Sequence, residues 1–285
     1  MGKFSLSTIV KLDSPIIVVD VGASLLETPE YQPLVEEGIA HVIGFEPDLQ
    51  ELEKLRATYK TTHSFFPYFV GDGKNGTFHE TTWVATGSLY PPKPSVLNKF
   101  QMLGEVTTLV AKHPVKTTAL DDIPEIQDVD YIKIDIQGAE LQAFDGARNA
   151  LASSVIIHTE VEFIEMYEGQ PLFSDVDHYL RARGFHFVKY LPPLATTLKP
   201  TFIEGSHLKG NIWVGADAIY IRDWNNLDVI STSKMKKLAI ITHDVYKMTD
   251  VAYFFLMEID RREGSRLANS YMDALNGTTT QHATE

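Results

Sequence analysis

The sequence predicts a doubly wound α/β fold: a mainly parallel sheet, a C-terminal antiparallel strand pair, and a helical extension. Short β-branched runs alternate with amphipathic stretches, the pattern of βαβ units. The first run, Ile16-Ile17-Val18-Val19, is apolar at every residue, as a strand covered on both faces must be. The proposed strands also lead into acidic residues or turn glycines at their carboxyl ends.

Taken in order, the first run leads into Asp20-Val21-Gly22-Ala23-Ser24. The second, from His41 to Phe45, leads into Glu46-Pro47-Asp48. A helix is expected next, with Asp48 as N-cap, Glu51 at the capping-box position, and Leu49, Leu52 and Leu55 forming one stripe. The third run, near Phe65 to Val70, closes with Gly71-Asp72-Gly73. Residues 73–120 read as an insertion near the mouth of a site, with β-like pieces at 77–84 and 107–117 around the turn Tyr90-Pro91-Pro92-Lys93-Pro94.

The parallel pattern resumes at Tyr131-Ile132-Lys133-Ile134-Asp135, followed by a helix carrying Leu141, Phe144 and Leu151 on one side. Residues 155–160 form a fifth strand. A helix over 175–183 stops at Gly184, and 185–190 with 212–221 form the closing antiparallel pair. This defines a ligand-binding domain over 1–224. Beyond it Met248, Val251, Ala252, Phe255, Leu256 and Ile259 recur at helical spacing. The extension, 225–285, must bury that stripe on the same chain or on a second copy, a homo-oligomer through its helices.

Composition narrows the function. The chain has 285 residues and no cysteine, which excludes disulfides, thiolate metal sites and cysteine nucleophiles and suits a reducing cytoplasm. A formal charge of -13 argues against nucleic-acid partners. The small cluster Lys234, Lys236 and Lys237 reads as a solvated helix start. No apolar run reaches the roughly 18–20 residues of a membrane span, and the N-terminus lacks the features of a signal peptide.

In open parallel sheets, ligands bind beyond the carboxyl ends of the strands, where strand order reverses. There Asp20, Glu46, Asp135 and Glu160 crowd like charge along one rim, an arrangement a positive ligand with hydroxyl and amine donors explains. Only Gly22 is present in the first loop, so neither a dinucleotide fingerprint nor a P-loop is formed. The loop Gly22-Ala23-Ser24, preceded by Asp20, suits a phosphate-free ligand whose amino-acid end offers an ammonium and a carboxylate. Glu46, with Pro47 beside it, can accept from both ribose hydroxyls, and Asp72, beside Gly71, from the exocyclic amine of adenine. Each of these acids has a plainer alternative as a turn or N-cap residue.

At these positions the sequence resembles the FkbM family of methyltransferases. Asp20-Val-Gly-Ala23, Gly44-Phe45-Glu46-Pro47-Asp48, Lys133-Ile-Asp135-Ile-Gln-Gly138-Ala139-Glu140 and Glu160-Val-Glu162 fall in that family's order and spacing, across about residues 15 to 222. Leu26 stands where the family usually has a second glycine. The resemblance implies a class I methyltransferase fold, S-adenosylmethionine as donor, and a hydroxyl acceptor on a small molecule or glycan, sugars leading.

Transfer of methyl from a sulfonium to an alcohol needs alignment of oxygen, carbon and sulfur, and gains from a general base. Asp135 leads as base, also touching the donor, with Glu160, Glu162 and His158 as further candidates. The last three share one parity along the fifth strand. Lys133 is either catalytic or an ion-pair partner of Asp135. The plainer reading of the strand-five groups is that their side meets solvent, or that one carboxylate orients Lys133. Glu140 can equally serve as a first-turn carboxylate. Trp83, Tyr90, Tyr167 and Phe173 can stack on an acceptor ring or pack as core. Asp135, Glu160 and His158 are acceptable metal ligands, but their spacing is not metal-specific, so no metal is expected. Two rival readings are a nicotinamide-dependent sugar-nucleotide enzyme and a non-catalytic methyltransferase-like scaffold.

Overall fold

A computed structural model describes residues 4–59, 63–206 and 208–277. The chain divides into two compact units: one drawn from 1–17, 26–41 and 224–285, the other from 18–25 and 42–223.

The larger unit is built on a mixed sheet of eight strands. They are β1 (Ile16–Val21), β2 (Ala40–Phe45), β3 (His63–Phe66), β6 (Tyr131–Ile134), β7 (Ile156–Glu162), β8 (Phe185–Tyr190), β9 (Leu194–Thr196) and β10 (Ile212–Arg222); β4 (Asn75–Thr81) and β5 (Leu109–Lys116) lie apart. Across the sheet the order is β3-β2-β1-β6-β7-β10-β8, with β9 paired to β10. β1, β6 and β7 pair in parallel, as do β2 and β3, whereas β10 runs antiparallel to both β7 and β8. The expected closing pair is therefore present, with the later strand inserted inside the earlier one. Chain order reverses between β1 and β6, which makes their carboxyl ends the switch point. Val18, Val19, Ile132, Ile134, Ile157 and Ile219 are fully buried, as the all-apolar runs predict.

α2 (Leu49–Thr58) starts where expected: Asp48 Oδ1 accepts from the Gln50 and Glu51 N–H groups at 2.8 and 3.1 Å. Leu52 and Leu55 pack on Ala23 and Phe65, but Leu49 is 65% exposed, because the stripe starts one turn into the helix. Glu51 does not close a capping box here; its side chain pairs with Lys54 at 2.6 Å.

Three boundaries differ from the sequence reading. The third strand ends at Phe66; beyond it Val70 forms only an isolated bridge to Thr118. The single helix expected after Asp135 is two short ones, α5 (Glu140–Asp145) and α6 (Arg148–Ser153). They break at Gly146, where a Cβ would lie 2.1 Å from the Gly71 carbonyl oxygen, so close backbone approach replaces a continuous helix. Of its expected stripe, Phe144 and Leu151 are buried and Leu141 is half-buried. Finally β1 and β7 run on past Asp20 and Glu160, to Val21 and Glu162, so those two acids lie within strands; Glu46 and Asp135 follow theirs directly. Within residues 73–120, β4 and β5 form an antiparallel ribbon, preceded and followed by turns, with two single-turn helices between them, α3 (Pro94–Leu97) and α4 (Leu103–Val106). α7 (Phe173–Arg181) leads to Gly184, as expected.

In the smaller unit, α8 (Thr232–Ile240) continues through a π-helical turn at Ile241–Val245, then α9 (Thr249–Glu263) and α10 (Leu267–Asn276). α1 (Gln32–Glu36) and the N-terminal residues belong to the same unit. Asp244 ties them together by accepting from the Leu6 N–H at 3.0 Å and from Ser5 Oγ at 3.1 Å. Ala252, Phe255, Leu256 and Ile259 are fully buried, so the stripe is covered within one chain. Among the described residues no helix is long and apolar enough to cross a membrane.

Candidate active site

Two loops meet at the switch point. Gly22 follows β1 with φ +87°, a conformation that favours glycine, and a Cβ there would sit 2.1 Å from the Asp135 carbonyl oxygen. The Asp135 N–H in turn donates to the Val21 carbonyl at 3.0 Å. The N–H groups of Gly22 and Ala23 both donate to the Phe45 carbonyl, at 3.1 and 3.0 Å. Ala23 is buried and Ser24 exposed. The first loop is thus pinned between the ends of β2 and β6, with its amides already engaged by protein.

Along the rim, Glu46 is half-buried, and burial pushes its carboxyl up to about 7 despite the Asp48 N–H donated to Oε1 at 2.7 Å. Pro47 is also half-buried. The Gly71 N–H donates to the Thr118 carbonyl at 3.1 Å. Asp72 takes the Lys74 N–H on Oδ1 at 3.1 Å and the Lys74 ammonium on Oδ2 at 2.5 Å, which holds its carboxyl below the ordinary value.

The carboxyl ends of β6 and β7 hold a denser group. The side-chain amide of Gln137 donates to Asp135 Oδ1 at 3.0 Å and to Glu160 Oε2 at 2.7 Å, joining the two acids. Gln137 sits at φ +55° and is locked from two sides. Ser88 Oγ donates to its carbonyl at 2.6 Å, and the Tyr167 hydroxyl, which donates to the Thr86 carbonyl at 2.9 Å, lies 3.3 Å from its Oε1. Residues of the 73–120 segment therefore bear directly on this loop.

Burial, then the charge of Asp135, raises the Glu160 carboxyl well above its ordinary value. Glu162 is 1% exposed and raised likewise, by burial first and then by Glu140 and Asp135. The Gln170 amide lowers it in part, yet Glu162 Oε1 and Gln170 Nε2 are both buried without a hydrogen bond of normal geometry. Glu140 folds back to accept from the Ile136 and Gly138 N–H groups at 3.0 and 3.1 Å, while burial lifts its carboxyl to about 7. It is the clamp of the Asp135–Glu140 loop.

Lys133 and His158 lie deeper. Asp20, Lys133 and His158 are register partners across β1, β6 and β7 and share one face of the sheet. Lys133 Nζ is 3.9 Å from Asp20 Oδ1, an ion pair between neighbouring strands. His158 is buried, with Nδ1 3.3 Å from the Tyr131 hydroxyl and Nε2 3.3 Å from Asp217 Oδ1. Burial raises the Asp217 carboxyl, but the hydrogen bond and charge of His158 outweigh it and leave it lowered.

The structure thus brings Asp135 and Glu160 together, with Glu162 next along the strand, and sets Lys133 and His158 in a separate polar row with Asp20. Sequence reading missed Gln137, Ser88 and Gln170 as parts of the site, and named Tyr167 only as a stacking or core aromatic. Of the three missed, only Gln137 carried a signal, its place in the Lys-Ile-Asp-x-x-Gly-Ala-Glu stretch.

Residues 20–187 match the methyltransferase FkbM domain model. The chain belongs to the FkbM methyltransferase family. The strand order described above, with its antiparallel inserted strand, is the class I methyltransferase arrangement. Among characterised proteins, the chain is similar to the 2-O-methyltransferase NoeI of Sinorhizobium fredii (strain NBRC 101917 / NGR234), 32% identical over 110 residues, which are 36% of this chain and 42% of that enzyme. Less than half of that relative's length is therefore matched. Similar solved structures include a putative methyltransferase from Thermoplasma acidophilum (13% identity, TM-score 0.36, 79% of this chain and 77% of that one). Another is Sp1610 of Streptococcus pneumoniae, a putative tRNA (m1A22) methyltransferase (14% identity, TM-score 0.38, 98% of this chain and 100% of that one).

The FkbM family and fold imply use of S-adenosylmethionine, and the donor set fits it. Carboxylates dominate the rim, as a cationic ligand with amine and hydroxyl donors requires. Glu162 Oε1 is a buried acceptor lacking a donor.

Proposed function

We propose that this FkbM methyltransferase is an S-adenosylmethionine-dependent O-methyltransferase whose acceptor is a hydroxyl of a small molecule or glycan, with sugar hydroxyls leading. The observation that carries the proposal is the amide-bridged pair Asp135–Gln137–Glu160 at the switch point. The similarity to a 2-O-methyltransferase supports transfer to oxygen.

When bound, the donor supplies an electrophilic methyl on a sulfonium. Asp20 and the Gly22-Ala23-Ser24 loop would hold its amino-acid end, Glu46 with Pro47 would accept from the ribose hydroxyls, and Asp72, beside Gly71, would accept from the adenine amine. Asp135 is the general base. It would accept the acceptor's hydroxyl proton as that oxygen takes the methyl the donor would supply. Burial and the charge of Asp135 raise the Glu160 carboxyl, which favours its neutral form. Gln137 is the positioning residue for both. Glu162 faces the same way along β7 as a further acceptor for cationic groups. Lys133 keeps Asp20 oriented, and His158 acts behind the site.

Thermal melting tests the donor. S-adenosylmethionine and S-adenosylhomocysteine should raise the melting temperature and NAD should not, and Glu46→Ala should diminish the rise. Equal melting temperatures with and without both nucleosides would overturn the proposal. Transfer of labelled methyl to a panel of glycans then distinguishes oxygen acceptors from others.

A further inference from the structure

Eleven of the twenty large apolar side chains exposed among the described residues fall in just two stretches, 83–116 and 194–213. Trp83, Val84, Val110, Phe202, Leu208 and Trp213 are each at least half exposed. The stretches join into one surface of the larger unit. Phe100 bridges Leu198, the Lys199 N–H donates to the Lys99 carbonyl at 2.8 Å, and the Gln101 N–H donates to Thr197 at 2.9 Å. Trp83 is tied to the same surface through Val106, and Ile212 through Thr196. A monomer rarely leaves so many large apolar side chains in water on two joined segments without a partner for them.

Charge says what kind of partner. The same two stretches hold six lysines against two glutamates, in a chain of net charge -13. Lys93, Lys199 and Lys209 pair with Glu165, Glu105 and Glu204, while Lys99, Lys112 and Lys116 are exposed. An apolar, tryptophan-bearing face with added lysines is what an anionic bilayer attracts: aromatic rings settle at the headgroup level and lysines meet the lipid charge. A two-fold contact with a second copy would instead set this cationic surface against itself.

We propose that this face docks the protein peripherally on an anionic phospholipid bilayer. It carries an enzyme without a spanning helix in its described residues to a surface, whatever its acceptor. Flotation with vesicles tests it, using the full chain and either phosphatidylcholine alone or phosphatidylcholine with phosphatidylglycerol. The protein should float only with the phosphatidylglycerol vesicles and be released by salt. Lys99→Glu with Lys112→Glu should weaken partitioning about thirtyfold or more. Val110→Ser with Phe202→Ser should weaken it about tenfold at unchanged melting temperature. Wild-type protein that stays unbound with both vesicles overturns the proposal, as does binding that all four substitutions leave intact. So does light scattering in which the serine variant splits a dimer, since a second copy would then own the face.

Discussion

Asp72 closes the turn after the third run of the sheet and Asp135 follows β6, yet the two carboxylates live in opposite surroundings. Asp72 has the Lys74 ammonium and N–H, both from two residues along the chain, and its carboxyl is lowered. Asp48, after β2, is likewise spent on the helix it caps. Asp135 has a neutral amide and two more acids, Glu160 and Glu162, whose carboxyls are raised by burial. Local partners satisfy the first group; the second is brought together by strands far apart in sequence and joined by the Gln137 amide. Acids gathered this way favour one shared proton and a base poised beside it.

The largest effect expected from this contrast is on turnover. Asp135→Asn should lower it about a hundredfold or more while donor binding is largely kept, measured by single-turnover methyl transfer and calorimetry. Full turnover in that variant would move the base elsewhere.

Next comes stability against pH. Glu140, lifted to about 7, keeps its proton in the folded chain over a range where the unfolded chain, at 4.5, has lost it. Stability should therefore fall as pH rises from 4.5 to 7, by about 3 kcal/mol from this residue, and Glu160 and Glu162 should carry the fall higher. Denaturant unfolding at pH 5 and pH 8 measures it, and Glu160→Gln should flatten the difference. A stability that climbs across that interval would mean the buried acids are ionised.

Gln137→Ala separates positioning from packing. Losing an amide that donates to both acids should shift the rising limb of the pH–rate profile upward by about one unit; a loss of rate with an unmoved profile would leave Gln137 a structural role only. The smallest effect belongs to the first group. Asp48→Ala should destabilise by about 1 kcal/mol through the lost cap, with turnover unchanged, as read by denaturant melts beside the assay.

Much of this was legible because it is local. The all-apolar run at Ile16–Val19, the Asp48 cap, the stop at Gly184 and the Lys133-to-Glu140 stretch each declare themselves within a few residues. The split at Gly146 was not legible, since it depends on the Gly71 carbonyl, distant in sequence. Nor was the approach of Lys133 to Asp20, which lies beside it only because β1 and β6 are neighbours.

The sequence by itself determined the α/β class, the acids along one rim, and the family to which the chain belongs, because strand periodicity and short motifs are written in near neighbours. Only the tertiary structure decided which carboxyls burial raises, that Gln137 joins two of the acids, and that the helices after Trp224 share a unit with the N-terminal residues. Desolvation and pairing are properties of surroundings assembled from distant segments, and no single segment contains them.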